Sequence, residues 1–502
     1  MHKFADMLRT FLKERNMSVS ELSRISGVER SFLQKIVTGT RMPSDAPAAR
    51  RIAASLMLTP IETERLISCY EITRIGEEAY YSRREISDML KIIDDITVRA
   101  IMGNDSLIGD TEDIFRELGD LAPLTGKPNI SRTVKAVLEA QALKDGGYVN
   151  IIAQPENNFL IDQLLNIFSG KPTVSITHII ALHSNTKQGG FNTYNLKCLR
   201  MVMPFLFSGC SYNLRSYYDV SDISSCKGIV LPYIILTESH VVNLSADMRT
   251  AIFSSRPDLV KFFKDIFEEA RHDTESFVHK GEFISGSEMQ SGIRGFYLDV
   301  ETILQNQPHL GISLTREMLE KITPVSTPNR ESIISTISGF TDKFREHVRA
   351  SLKGYITTFC TSAGVNEFIS TGKTTELPMD AVKPLSVPLR IMLIEKLIES
   401  IESGIERLHI IASDSCSLSI PKSASILYDR EMGIVFSSLN RHPSDRRFSL
   451  NERVTVNSFL DYLQCLTEED GVMSCEKSVE YLKSRLFILY EMDMREKYLA
   501  ES

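Results

Sequence analysis

The chain has 502 residues, with 57 basic side chains against 65 acidic ones and a net charge of −8, which excludes a uniformly basic nucleic-acid coat. Hydrophobic residues are 42% of the total and charged residues 24%, which excludes a mainly disordered or fibrous chain and supplies cores for about three domains. The longest apolar run, Gly228 to Leu236, is interrupted by Pro232 and is too short to span a bilayer. The opening MHKFADMLRT lacks an apolar signal core, so secretion is not expected. Eight scattered cysteines without a C-x-x-C pair read as reduced thiols of a cytoplasmic protein.

Helical punctuation is dense at the amino end. Phe4, Met7, Leu8, Phe11 and Leu12 recur at the spacing of one helix face. Ser18-Val-Ser-Glu21 has the form of a capping box and opens a short helix over about 19–26 that stops at Gly27. A second short helix follows from Glu29 to Ile36 with Leu33 and Ile36 inward, and Gly39, Arg41 and Pro43 form the next loop. Thr59-Pro60-Ile61-Glu62 is another capping box, so about five helices are expected in the first 70 residues. Residues 1–57 hold ten basic and five acidic side chains, a net +5 that leaves −13 on the rest. A small basic head on an acidic body suits a protein in which one module approaches a polyanion.

From Phe4 to about Glu71 the chain resembles the lambda-repressor-like (xenobiotic-response-element) helix-turn-helix family, through Leu22, Ser23, the Gly27-Val28 turn, Leu33, Ile36, Gly39, Arg41 and Pro43. The resemblance implies that the second short helix enters the major groove of double-stranded DNA. Carried over by position, Arg30, Ser31 and Lys35 face the bases with Gln34 beside them, and Arg41 meets the phosphate backbone. Val19 and Val37 depart from the polar residues frequent at their places in the family.

The remainder reads as a helix over 72–96, a looser joining region at 101–132 and a helix at 132–143, followed from Tyr148 by alternating strands and helices. The expected fold class is α+β multidomain: a five-helix head (1–71), a helical connector (72–145), an α/β unit (146–285), linking helices (286–350) and a second α/β unit (351–495). The units read as a tandem duplication, with 148–154 matched to 355–361, 174–182 to 407–413, 232–248 to 424–440 and the helix at 257–270 to 454–466. His178-Ile-Ile-Ala181 then matches His409-Ile-Ile-Ala412.

The hairpin followed by Leu244-Ser245-Ala246 and then the helix opening Pro257-Asp-Leu-Val260 resembles the phospholipase-D-like fold, in which paired H-x-K-x4-D signatures meet at a shared cleft. Where that family carries His, Lys and Asp, this chain carries Leu231, Tyr233 and Glu238, then Ser423, Ser425 and Arg430. The resemblance thus implies an inactive hydrolase whose cleft binds a small-molecule effector. Candidate effector contacts are His178, Tyr233, Glu238, His409, Tyr428 and Arg430. Arg215, Tyr217 and Tyr218, with the basic group Arg441, Arg446 and Arg447, are candidates for an anionic effector. The G-x-x-x-x-G-K-[ST], H-E-x-x-H and G-x-S-x-G patterns do not occur, and no enzyme activity, metal or cofactor is expected. The expected protein is a cytoplasmic, homodimeric bacterial transcriptional regulator controlled by an effector. The alternatives are a partner-binding scaffold or antitoxin-like regulator, and a defence effector with an autoregulatory head.

Overall fold

The computed structural model describes residues 2–102, 111–156, 158–169, 173–184, 193–208, 210–219, 231–281, 299–350, 354–376, 382–412, 418, 420–438 and 447–501. The chain forms two compact units, Met1–Glu85 and Ile86–Ser502.

In the first unit the five expected helices all form: α1 (Lys3–Glu14), α2 (Val19–Ser26), α3 (Arg30–Val37), α4 (Ala46–Ser55) and α5 (Pro60–Ile75). They close around Phe4, Leu8, Leu22, Leu33, Ile52 and Leu66, all essentially inaccessible to water. Thr59 and Glu62 complete a reciprocal capping box with bonds of 3.3 and 2.8 Å. At Ser18 only one arm forms: its hydroxyl accepts from the Glu21 amide at 3.2 Å. The helix expected from Ile72 onward is broken at Gly76 (φ 92°, ψ 156°), and α6 (Glu77–Met102) starts beyond it.

The second unit is built on two mixed sheets. Its elements are α7 (Thr111–Leu118), β1 (Leu121–Thr125), α8 (Lys127–Ala142), β2 (Tyr148–Ile152), α9 (Asn158–Phe168), β3 (Ser175–His183), α10 (Thr193–Ser208), β4 (Ser211–Asp219), β5 (Tyr233–Leu236), β6 (Val241–Leu244), β7 (Thr250–Ser254) and α11 (Pro257–His272). Then come β8 (Glu275–Ser276), β9 (His279–Gly281), β10 (Val300–Leu304), α12 (Arg316–Ile322), α13 (Arg330–Ala350), β11 (Ile356–Thr361), α14 (Ser362–Thr371), α15 (Val387–Glu402) and β12 (Glu406–Ile411). The chain ends with β13 (Ala424–Asp429), β14 (Gly433–Ser438), β15 (Arg447–Leu450), α16 (Arg453–Cys465) and α17 (Cys475–Glu501). Strand order is β1-β7-β6-β5-β2-β3-β4-β8 in the first sheet and β12-β11-β10-β13-β14-β15-β9 in the second.

Both sheets follow one programme. Three parallel strands (β2, β3, β4; β10, β11, β12) are laid outward in turn, and three antiparallel strands (β5, β6, β7; β13, β14, β15) extend the other side. A helix follows each set, α11 and α16. The duplicated topology therefore agrees with the repeat read from the sequence, but the strand matches shift by one in its first half. The partner of β2 is β10, which the sequence reading placed among linking helices, so β11 matches β3 and β12 matches β4. His178 on β3 and His409 on β12 consequently do not occupy equivalent positions.

Two other expectations need correction. The joining region contains a strand, since β1 pairs antiparallel with β7 from Leu121↔Ser254 to Thr125↔Thr250. Its Pro123 is tolerated because β1 is the sheet edge. The two halves are also not separate beads. β9 leaves the first half and adds to the edge strand β15 of the second. One core joins Ile151, Ile235 and Phe253 of the first sheet, helices α8 to α10, Phe436 and Phe448 of the second sheet, and Phe459 of α16. Here the first sheet presents the face covered by its crossover helices, whereas the second presents the face covered by α16. Equivalent faces do not meet. The outer faces pack against α11 through Val260 and Phe267, and against α13 through Phe344 and Val348.

Candidate nucleic-acid interface

The turn between α2 and α3 is fixed locally. Gly27 stands at φ +69°, in the left-handed region, and its amide donates to the Ser23 carbonyl at 3.0 Å. The Ser23 hydroxyl donates to the Val28 carbonyl at 2.7 Å, and the Val28 amide to the Ser26 hydroxyl at 3.3 Å. With Leu33 and Ile36 held in the core, Arg30, Ser31, Gln34 and Lys35 are all exposed. The loop after α3 folds back onto the helix end, where Thr40 and Arg41 donate their amides to the Lys35 carbonyl at 2.9 and 3.1 Å. This leaves the Arg41 side chain exposed while Pro43 is buried. Asp45 caps α4 by accepting from the Ala48 amide at 2.7 Å. That bond, with the Ser44 hydroxyl, holds the Asp45 carboxyl below its ordinary range.

Ion pairing separates the basic residues of the head. Lys3, Arg9 and Arg15 are engaged by Glu77, Asp6 and Glu62. Among the described residues Arg24, Arg30, Lys35 and Arg41 have no carboxylate within pairing distance, so the cationic surface around α3 is not neutralised internally. One acidic group shares this arc: Glu29, the residue before α3, accepts a hydrogen bond from the Ser31 hydroxyl. The sequence reading passed over Glu29 as a helix opener. Chemically it is an acceptor that matches the cytosine amino group in the major groove.

The candidate effector residues of the second unit do not converge. His178 is completely buried: its Nε2 donates to the Ala153 carbonyl at 2.9 Å and its Nδ1 accepts from the Tyr212 hydroxyl at 2.7 Å. Burial lowers its pKa to about 4, so the ring is neutral and its polar atoms are used within the core. Tyr233 lies on the same face of the sheet and is only 8% exposed. Glu238 lies beyond β5, 3.3 Å from Lys144. In the second half, the His409 Nδ1 donates to the Met473 carbonyl at 3.0 Å and the ring stacks on Phe359 at 5.4 Å. Burial lowers the His409 pKa as well. Tyr428 on β13 is three strand spacings from His409, roughly 14 Å. Arg430 is taken up by Glu301, with Asp299 at 3.8 Å.

The anionic-effector candidates are similarly distributed. Arg215 donates from Nε to the Thr274 hydroxyl at 2.8 Å, Tyr217 packs against the α11 cluster, and the Tyr218 hydroxyl donates to Glu452 at 2.9 Å. Arg447 is half-buried on β15, and Arg441 and Arg446 lie outside the described residues. Among the described residues no group of His, Cys, Asp and Glu has the arrangement of a metal site, and no helix is long and apolar enough to cross a membrane.

Residues 7–60 match the Cro/C1-type HTH DNA-binding domain, in agreement with the helices and exposed cationic arc described above. The head is a DNA-binding domain of that type. No curated protein matches the chain. Among solved structures, TrmBL2, an archaeal chromatin protein described as showing a novel mode of DNA binding, is similar at 12% identity, covering 45% of this chain and 71% of its own, with a TM-score of 0.22. Polyphosphate kinase from Porphyromonas gingivalis is similar at 12% identity over 75% of this chain and 56% of its own, with a TM-score of 0.23. Phosphatidylserine synthase from Haemophilus influenzae Rd KW20 is similar at 10% identity over 77% and 98%, with a TM-score of 0.24. Likenesses this loose assign the second unit neither a fold family nor an activity.

Proposed function

We propose that the protein is a transcriptional regulator that binds a pseudo-palindromic operator as a dimer, each head reading one half-site, while the second unit senses a small-molecule effector. The observation that carries the DNA reading is the exposed α3 face, on which Arg30, Gln34 and Lys35 stand outward and the cations lack internal carboxylate partners among the described residues. Arg30 and Lys35 are the proposed base-reading cations, Ser31 and Gln34 supply neutral hydrogen-bonding groups, and Arg41 meets a phosphate. A dimer is invoked because a single small head buries too little surface for tight specific binding.

The second unit is read as a sensor rather than a catalyst. Leu231, Tyr233 and Glu238, with Ser423, Ser425 and Arg430, stand where the phospholipase-D-like signatures would place His, Lys and Asp. To switch operator binding usefully, the effector must favour one arrangement by a few kcal/mol.

The test of the head is operator binding by Arg30→Ala and Lys35→Ala, each expected to weaken it by about 1–3 kcal/mol. Arg41→Ala should instead weaken binding alike on all sequences and flatten its salt dependence. Unchanged affinity and salt slope in all three variants would remove the interface. The test of the sensor is a thermal-shift screen of metabolites, since a ligand at 100 times its Kd adds about 2.7 kcal/mol. A screen in which only protein partners shift the transition would replace the sensor with a scaffold.

A further inference from the structure

The fold makes little structural use of Glu29. It is exposed at the N-cap of α3, yet its side chain accepts no capping hydrogen bond from the amides of that helix. The residues three and four places on are Phe32 and Leu33, so it gains no oppositely charged neighbour along the helix. Arg30 is next to it in the chain, but among the described residues Glu29 forms no ion pair. What holds it is the Ser31 hydroxyl, which donates to its Oε1.

A carboxylate is thus fixed within the exposed arc of Arg24, Arg30, Lys35 and Arg41. Against phosphates a negative charge is repelled, and it is tolerated only where it meets a donor. In the major groove the base donors are the N4 amino group of cytosine and the N6 amino group of adenine, whereas guanine and thymine present acceptors. Adenine sets its acceptor N7 beside the amino group, where it repels the second oxygen of a carboxylate. Cytosine carries no acceptor on that edge.

We propose that Glu29 is a specificity-determining residue of the head, selecting a cytosine in the half-site and rejecting the other three bases by repulsion. This rests on α3 entering the major groove, as read above, and names a base that it requires.

Ser31 is the positioning residue. Its single hydrogen is spent on Oε1, so its own oxygen offers only lone pairs and Oε2 of Glu29 is left for the base. Consecutive Cα atoms are about 3.8 Å apart, close to the roughly 3.4 Å rise of the duplex, so Glu29 and Arg30 can address neighbouring base pairs. Arg30 then supplies affinity for a guanine, while Glu29 supplies discrimination by penalising wrong sites.

The test is selection by the full chain from a randomised duplex pool, followed by affinities on the selected site and on an unrelated duplex at one salt concentration. Wild type should enrich cytosine at one position of the half-site, by about tenfold over each other base. Glu29→Gln should change that position to adenine, because an amide pairs with N6 and N7 together, and Glu29→Ala should leave it degenerate. Both variants should bind the unrelated duplex about threefold more tightly, since a charge repelled by phosphates is gone. Ser31→Ala should weaken the cytosine preference without that gain, and Ser31→Thr, which keeps the hydroxyl, should retain it. A purely structural role for Glu29 predicts instead a loss of affinity on both duplexes. Glu29→Gln and Glu29→Ala variants that select the wild-type sequence would overturn the inference and leave the Arg30 and Lys35 reading standing. A wild-type chain that enriches no sequence would overturn both.

Discussion

Burial moves the protonation of His178 and Glu406 in opposite senses. His178 titrates at 6.5 in the unfolded chain and at about 4 in the fold, so the unfolded chain binds more protons between those values. The stability this provides is present above pH 6.5 and is lost as pH falls towards 4. Glu406 is fully buried with one oxygen held by the Thr358 hydroxyl at 2.6 Å, and burial raises it from 4.5 to about 7. Here the fold holds the extra proton, so stability is fully present below pH 4.5 and is lost as pH rises to 7. Glu406→Gln keeps a neutral group in place of the carboxylic acid. It should therefore gain about 2–3 kcal/mol on wild type between pH 5 and pH 8, read from unfolding at the two values; parallel curves would refute this. Two glycines give a steric contrast. Gly27→Ala strains only the left-handed turn, because nothing lies within 4 Å of the new methyl, and should cost the head about 1 kcal/mol. Gly364→Ala would put its methyl 1.9 Å from the Asn306 carbonyl oxygen, forcing α14 away from the end of β10. A cost of about 3 kcal/mol is expected in thermal unfolding of the second unit.

Among the elements, α6 is held at its second-unit end by more than apolar packing. Ile86, Met89, Leu90 and Ile93 enter the main core, and Asp94 accepts from the Lys422 and Ser423 amides at 3.0 and 2.9 Å and from the Ser423 hydroxyl at 2.7 Å. Asp94→Ala should cost about 1.5–3 kcal/mol, since it removes a charged acceptor of three hydrogen bonds; a melting temperature equal to wild type would show that water replaces the carboxylate. The elements legible in the sequence were those whose signals are local. The head's caps, turn glycine and three/four spacing all lie within a few residues of what they determine. Strand β10 was missed because Val300-Glu-Thr-Ile-Leu304 puts a carboxylate in a short strand, and Glu301 is met there by Arg430, far away in sequence. Edge strand β1 was missed because Pro123 reads as a breaker until β7 is seen to lie on one side of it only.

For the molecule as a whole, the two units differ in how separable their cores are. The head closes its own core, so residues 1–76 alone should unfold cooperatively with a single transition in circular dichroism. The halves of the second unit share a core, with Phe207 against Phe448 at 5.3 Å and the Tyr218 hydroxyl on Glu452. Expressed apart, residues 86–281 and 299–502 should each be insoluble or molten, and a soluble, cooperatively folded half would refute the shared core. The sequence by itself determined the head, its helix α3 and the side chains that helix turns outward, because a helical face is decided by neighbours three and four residues away. It also determined that an α/β programme occurs twice. Only the tertiary structure decided which strands correspond, that inequivalent faces of the two sheets meet, and that His178 and His409 are consumed by hydrogen bonds in the packing. Those outcomes depend on partners tens to hundreds of residues away, and the burial that neutralises a histidine exists only once such partners have come together.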